Sequence, residues 1–255
     1  MNYSNKNILE IKDLTKKYSS SPKNILEDLS LTIDKKEFVC ILGPSGCGKS
    51  TLLRCIGGFE QYEGSVKIEG KIEKLPGPSR IMVFQDFNQL FPWKTVEKNI
   101  QYAVKVMLKI NDKLKLRQIS DHYINLVGLR GYEKYYPYQL SGGMKQRVAI
   151  SRALACKPSI ILMDEPFASL DAMTRENLQK ELLKLFQNEN ITIIFVTHNI
   201  QEAISLGTRI ITMASGGKIV LDLINNLSYP ITPATNGYGE LWTKLISSLD
   251  RGGSI

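Results

Sequence analysis

The sequence predicts an α/β fold, a mostly parallel sheet with helices on both faces. Two observations carry this reading. Phe38 to Leu42, Ile160 to Met163 and Ile191 to Val196 are short apolar runs without polar alternation, as expected of strands buried on both faces. Between the later runs, apolar residues recur at helical spacing, as in Leu178, Leu182, Leu185 and Phe186. The chain has 255 residues, 43% hydrophobic and 23% charged, enough to bury a core without metal or disulfide staples. That composition excludes disordered, collagen-like and coiled-coil classes. No apolar run approaches the ~18 residues needed to span a bilayer. Met1 to Leu14 carries Glu10 and Asp13 and lacks the apolar core expected of a secretory signal.

Taken in order, the first third reads as strands. Ile8, Ile11 and Leu14 begin one, and Leu26, Leu29, Leu31 and Ile33 mark a second. Phe38 to Leu42 follows, and then Ser65 to Glu69, set between Gly64 and Gly70. The middle is helical: Ile100, Ala103, Val104, Met107 and Leu108 share one face, as do Ile119, Tyr123, Leu126 and Val127, with Gly128 as a C-terminal cap. The 111–117 stretch, with Lys113, Lys115 and Arg117, reads as a solvated loop or helix face. The last third alternates strand and helix, with a strand at Arg209 to Met213 that turns at Gly216-Gly217 into Lys218 to Leu221 as a hairpin. Leu241, Trp242, Leu245, Ile246 and Leu249 predict a final helix.

The net charge of +8 admits nucleic acid, an anionic membrane surface or a phosphorylated ligand as partner. The lysines are scattered without a polybasic block, which favours solvated faces and argues against nucleic acid. Cys40, Cys47, Cys55 and Cys156 form no CxxC and do not pair with the two histidines, so zinc and a disulfide framework are not expected.

The chemistry begins after the third apolar run. Gly43-Pro44-Ser45-Gly46-Cys47-Gly48-Lys49-Ser50-Thr51 matches G-x-x-x-x-G-K-[ST], between an apolar strand and a helical start at Leu52, Leu53 and Ile56. Such a loop curls its N–H groups inward, and the following helix turns its positive end toward phosphates. Lys49 is placed for the β- and γ-phosphates and Ser50 for Mg²⁺. Helix-end N–H groups would lower the Cys47 thiol pKa if it faced them, but a small filler residue is the stronger expectation. A second half-site is the strand Ile160 to Met163, which delivers Asp164 and Glu165 at its C-terminal end, the edge where parallel sheets bind ligands. Asp164 is the candidate for Mg²⁺, and Glu165 the candidate base for an attacking water.

Leu140-Ser141-Gly142-Gly143-Met144-Lys145-Gln146-Arg147 places a hydroxyl and two glycines before a helix, a second anion cradle. This segment resembles the signature motif of ABC-type ATPases, and the motifs from Ile8 to about Leu223 follow that family's order. The resemblance implies a P-loop NTPase of the ABC ATPase type, a mostly parallel core sheet with an antiparallel β subdomain and a helical subdomain. It implies that MgATP is sandwiched in a head-to-tail homodimer, with Ser141, Gly142 and Gly143 of one copy facing the phosphate loop of the other. It further implies that Tyr18 stacks on adenine, that Gln85 reaches Mg²⁺ and the attacking water, that Ser169-Leu170-Asp171 meets the partner copy, and that His198 sits at the γ-phosphate. Met144, Asn199 and Ala168 depart from the family's commonest residues, but none removes a proton or metal role.

Gln89-Leu90-Phe91-Pro92-Trp93-Lys94-Thr95-Val96 resembles importer ATPases for nitrate, sulfonates, taurine and related small molecules. In such importers this region helps form the groove for a helix of the membrane partner. Phe91 and Trp93 are equally well read as ordinary core. The expected division is an ATP-binding domain over 8–225, with a helical insertion at about 88–155, and a short tail over 226–255 that carries a helix. The expected partners are separate transmembrane permease subunits and, indirectly, an extracytoplasmic substrate-binding protein, with the chain peripheral on the cytoplasmic face of the membrane. A soluble ABC-type ATPase of DNA repair or translation, a non-enzymatic nucleotide-gated module and an exporter subunit are the alternatives. The first is disfavoured because the chain has neither long coiled-coil insertions nor a second ATPase half.

Overall fold

The computed structural model describes residues 7–86, 89–168, 170–189 and 191–253. The strands are β1 (Asn7–Lys16), β2 (Leu26–Asp34), β3 (Phe38–Leu42), β4 (Glu63–Ile68), β5 (Lys71–Ile72), β6 (Arg80–Val83), β7 (Ile160–Asp164), β8 (Thr192–Thr197), β9 (Arg209–Met213) and β10 (Ile219–Ile224). The helices are α1 (Lys49–Gly57), α2 (Val96–Leu108), α3 (Lys113–Leu126), α4 (Gly142–Ala155), α5 (Ala172–Asn188), α6 (Ile200–Leu206) and α7 (Tyr238–Gly253).

The strands form two sheets. A small one runs β2-β1-β4-β5, antiparallel throughout. The larger runs β10-β9-β3-β8-β7-β6, parallel except for the terminal β9–β10 hairpin. Period-two alternation splits the central strands between two cores. Val39, Ile41, Ile160, Leu162, Ile194 and Val196 face α1 and the small sheet. Phe38, Cys40, Leu42, Ile161, Met163, Ile193 and Phe195 face the helices of the other layer. All four cysteines are buried free thiols, as their sequence spacing implied.

The β1–β2 pair departs from simple alternation. Its register slips twice in one bulged stretch: β1 gains a residue between Ile11↔Leu31 and Leu14↔Leu29, and β2 gains one between Leu14↔Leu29 and Lys16↔Leu26, so the step from Leu26 to Leu29 on the buried face is three residues rather than two. Asp13 and Asp28 take positive φ of 50° and 47° at this bulge, and their carboxylates accept from Ser30 Oγ and Thr15 Oγ1.

Helix starts follow capping chemistry. Thr95, Asp112, Ser141, Asp171 and Asn199 each accept a backbone N–H at the start of α2, α3, α4, α5 and α6. The 111–117 stretch belongs to the capped start of α3, with Lys113, Lys115 and Arg117 on its exposed face. The tail helix α7 packs on the larger core through Leu245, which is fully buried. Leu245→Ala should cost about 2–5 kcal/mol through lost burial and a residual cavity. The expected result is faster amide exchange through α7, measured against the protected strands β3 and β8.

Candidate functional site

Four adjacent parallel strands deliver the site. In the order β3, β8, β7, β6, their register pairs Leu42 with Thr197, Val196 with Asp164, and Met163 with Val83. The loops that leave these C-terminal ends begin at Gly43, His198, Glu165 and Phe84, so residues far apart in sequence meet along one sheet edge.

An open cleft of about 500 Å³ lies there, lined by the loop residues Ser45, Gly46, Gly48, Lys49, Ser50 and Thr51, together with Tyr18, Ile25, Gln85 and Glu165. Gly48, at φ 108°, is the N-cap of α1 and offers it no side-chain cap. The first N–H groups of α1 therefore stay open for an anion, whereas a side chain occupies that position in α2 to α6. A Cβ on Gly48 would lie 2.7 Å from Leu26 Cδ2 and 2.9 Å from the Ile25 carbonyl, so only glycine closes the loop against that segment. Lys49 is 5% exposed, and its ammonium donates to the carbonyls of Gly43 and Pro44 at 2.8 and 2.9 Å. The cation is thus held on the inside of the loop. Cys47 is a buried filler: burial pushes its thiol pKa up, and this outweighs the opposing charge of Lys49.

Ser50 Oγ donates to Asp164 Oδ1 at 2.8 Å. These are hard oxygen groups of the kind that hold Mg²⁺ when substrate phosphates and water complete its shell. Glu165 has a φ of +43°, a strained conformation for a residue with a side chain. Its N–H is tied to the Val196 carbonyl at 3.0 Å, so the ladder itself holds the strain. Its Oε2 lies 2.9 Å from His198 Nδ1, which fixes the ring and leaves Nε2 as the outward nitrogen.

Ser141, Gly142, Gly143 and Asp171 do not line this cleft. They sit together elsewhere, where the starts of α4 and α5 meet. Ser141 caps α4 through the Met144 N–H, and Asp171 caps α5 through the Thr174 N–H. A Cβ on Gly143 would come within 2.7 Å of Thr174 Cγ2. Ser169 lies outside the described residues, as does Asn88 at the expected start of the helical insertion.

Sequence reasoning missed several supporting side chains. Lys16 is buried, pairs with Glu60 at 3.0 Å, donates to the Gln61 carbonyl, and lies over the Tyr18 ring at 4.6 Å. Gln89 braces the turn that carries Gln85: its amide donates to the carbonyls of Phe84 and Asp86 and accepts from the Phe84 N–H. Trp93 is 71% exposed, so the core reading fails for it. Phe91, half-buried, stacks edge-on to Tyr102 and lines a second, apolar cavity with Ile81, Val106, Met107 and Arg152.

Asp164 is held above the usual carboxylate range, chiefly by burial and against the Ser50 hydrogen bond. Its native form keeps a proton longer than the unfolded form, so stability falls as pH rises from about 3.8 toward the raised native value. Asp164→Asn keeps an acceptor for Ser50 and removes that cost. It should raise the nucleotide-free Tm at neutral pH, and the gain should shrink below about pH 4. A calorimetric pH series on both proteins checks this.

A family model described as ABC transporter matches residues 26–168. The aliphatic sulfonates import ATP-binding protein of Bacillus thuringiensis subsp. konkukian is 41% identical over 252 residues, which is 97% of this chain and 98% of that protein. The nitrate import ATP-binding protein of Synechococcus elongatus is 45% identical over 196 residues, 76% of this chain and 71% of that one. Among solved structures, the dimeric post-hydrolysis state of the ATP-binding cassette MJ0796, bound to ADP and Pi, matches with a TM-score of 0.75 and 33% identity, covering 86% of this chain and 99% of that one. The chain belongs to the ABC transporter family, as one of its ATP-hydrolysing subunits.

Proposed function

We propose that two copies of this chain close head to tail on two MgATP, and that hydrolysis there drives import of a small oxyanion of the sulfonate or nitrate kind. The observation that carries the chemistry is the convergence of an uncapped α1 start, the Ser50–Asp164 pair and the Glu165–His198 pair on one sheet edge. Import and substrate class rest on the relatives described above.

In this reading the phosphates lie against the open N–H groups of Gly46 to Thr51, and Lys49 turns from its loop carbonyls to meet them. Tyr18 supports the adenine from the side, and Lys16 holds that ring in place. Ser50, Asp164 and Gln85 hold the Mg²⁺, which offsets phosphate charge when bound. Glu165 takes a proton from the attacking water, and His198 steadies the carboxylate through Nδ1. Ser141, Gly142 and Gly143 reach the γ-phosphate of the opposite copy, and Asp171 lies at the contact between copies. The ATP-binding domain covers 8–225, with its helical insertion at about 88–155, and 226–255 is the tail.

The permease subunits bind at the face carrying Phe91 and Trp93. Trp93, Tyr102 and Val106 are exposed together around Phe91 and the apolar cavity, and a contiguous exposed apolar patch supports a partner surface there. The chain would then sit on the cytoplasmic side of the membrane; no helix among the described residues is long and apolar enough to cross one. A separate binding protein delivers the substrate on the opposite side.

Glu165→Gln keeps the side-chain shape and removes the base. Single-turnover hydrolysis should fall by ~10²–10⁴ while nucleotide affinity is kept or improved. Parent-rate hydrolysis in this variant would remove Glu165 from the mechanism. Trp93→Ala should leave ATPase activity of the isolated chain unchanged and lower uptake of labelled alkanesulfonate or nitrate by the assembled transporter. Unchanged uptake of whichever substrate the transporter carries would exclude Trp93 from the coupling face.

A further inference from the structure

We propose that Arg175 and Glu202 are positioning residues that lock the His198 turn to the Leu170–Asp171 segment, so that hydrolysis in one copy depends on how that segment is held. The consequence for hydrolysis rests on the roles proposed above for His198 and Asp171; the link itself rests on geometry.

Glu202 stands in the first turn of α6 and is 6% exposed. Its Oε2 accepts from Thr197 Oγ1 at 2.6 Å, and Thr197 Oγ1 in turn accepts from the Asn199 N–H at 3.0 Å. The residues on both sides of His198 are therefore gripped by one carboxylate. Asn199 returns the grip, since its side chain accepts from the Glu202 N–H. The other oxygen, Oε1, faces Arg175 Nε at 3.7 Å. Arg175 lies in the first turn of α5, and its Nη2 donates to the Leu170 carbonyl at 2.9 Å. A chain of polar contacts thus runs from the backbone around His198 to the backbone that enters α5; its Glu202–Arg175 step is an ion pair and not a hydrogen bond, since Arg175 Nε is buried without a hydrogen-bond partner.

Two features separate this from a plain salt bridge between helices. Buried ion pairs are poor sources of net stability, because desolvation consumes most of the Coulomb gain. A carboxylate this deep is retained more reasonably for position than for stability. Moreover, the chain finishes on loop backbone at both ends, one around His198 at the site and the other at Leu170, where the chain enters α5. Arg175 and Glu202 also share with Glu165 and His198 a cavity of about 30 Å³, so a shift of the guanidinium is felt at the catalytic pair.

The test uses the full chain and MgATP. Arg175→Met keeps the aliphatic stem and removes both polar contacts; Glu202→Gln keeps the shape and removes the charge. Each should lower kcat roughly ten- to a hundredfold by misplacement, with KM within about twofold of the parent. The double variant should be no slower than the slower single, the mark of one shared link. Arg175→Lys, which keeps a donor and the charge, should recover part of the loss. A direct readout needs no turnover: the chain has two histidines, so the His198 imidazole resonances should shift in Arg175→Met while those of His122 stay fixed. Independent, multiplying losses in the double variant overturn the proposal, as do unmoved His198 resonances, or a lower Tm with unchanged kcat per folded molecule. If Glu165→Gln hydrolyses at the parent rate, the site roles fail instead, and the resonance shift still decides whether the link exists.

Discussion

Everything at the site depends on the register of one parallel ladder. The strands β3, β8, β7 and β6 end level, and each hands its next residues to the same edge. A parallel ladder is costly to build, because every pair of neighbours needs a long crossover. Here the crossovers are α1 and everything up to β6 on one side, and α4, α5 and α6 on the other. What the arrangement supplies is convergence: Gly43, Gln85, Asp164 and His198 leave the sheet together although more than a hundred residues separate the first from the last. A slip of one residue between β7 and β8 would break the Glu165 N–H bond to Val196 and move Met163 and Asp164 each to the face opposite its present one.

That edge is electrostatically uncomfortable in the free chain. Asp164 and Glu202 are both held above the usual carboxylate range by burial. Glu165 adds a strained backbone and a neighbouring negative charge. The buried cation Lys49 donates to carbonyls of its own loop. The site is therefore paid for by the two cores on either side of the sheet. Phosphates and a divalent cation would relieve it, because they bring acceptors to the α1 start and positive charge to Ser50 and Asp164.

Much of this was legible because the decisive chemistry is local in sequence. A phosphate loop must follow a strand and start a helix, and Gly43 to Thr51 carries all three signals within a few residues. The apolar runs gave the parallel strands for the same reason, since both faces are covered and no polar alternation interrupts them. What stayed hidden is long-range or conformational. The positive φ of Glu165 leaves no mark in composition. The Lys16 support of Tyr18 needs Glu60 and Gln61 to come back beside β1, and the Arg175–Glu202 link joins two helices across β8. The β1–β2 bulge was visible only as an unexplained three-residue step from Leu26 to Leu29. Trp93 was ambiguous because an aromatic next to a proline reads equally as core or surface; only the packing of Phe91 on Tyr102 leaves it outside.

The same locality explains why the chain says so much about ATP and so little about cargo. The groups gathered at the sheet edge, Lys49, Ser50, Asp164, Glu165 and His198, are of the kinds that meet phosphate, a divalent cation and water. Relatives named for sulfonates and for nitrate are 41% and 45% identical to this chain, so identity alone does not choose between those molecules. Phe91 and Trp93 form one surface beside the cavity lined by Ile81, Val106 and Arg152. It is joined to the site through Gln89, whose side chain braces the Gln85 turn and whose carbonyl accepts from Arg152 of α4 at 2.8 Å. Because α4 also begins at Ser141, one helix runs from the junction with the α5 start to Arg152 beside Phe91.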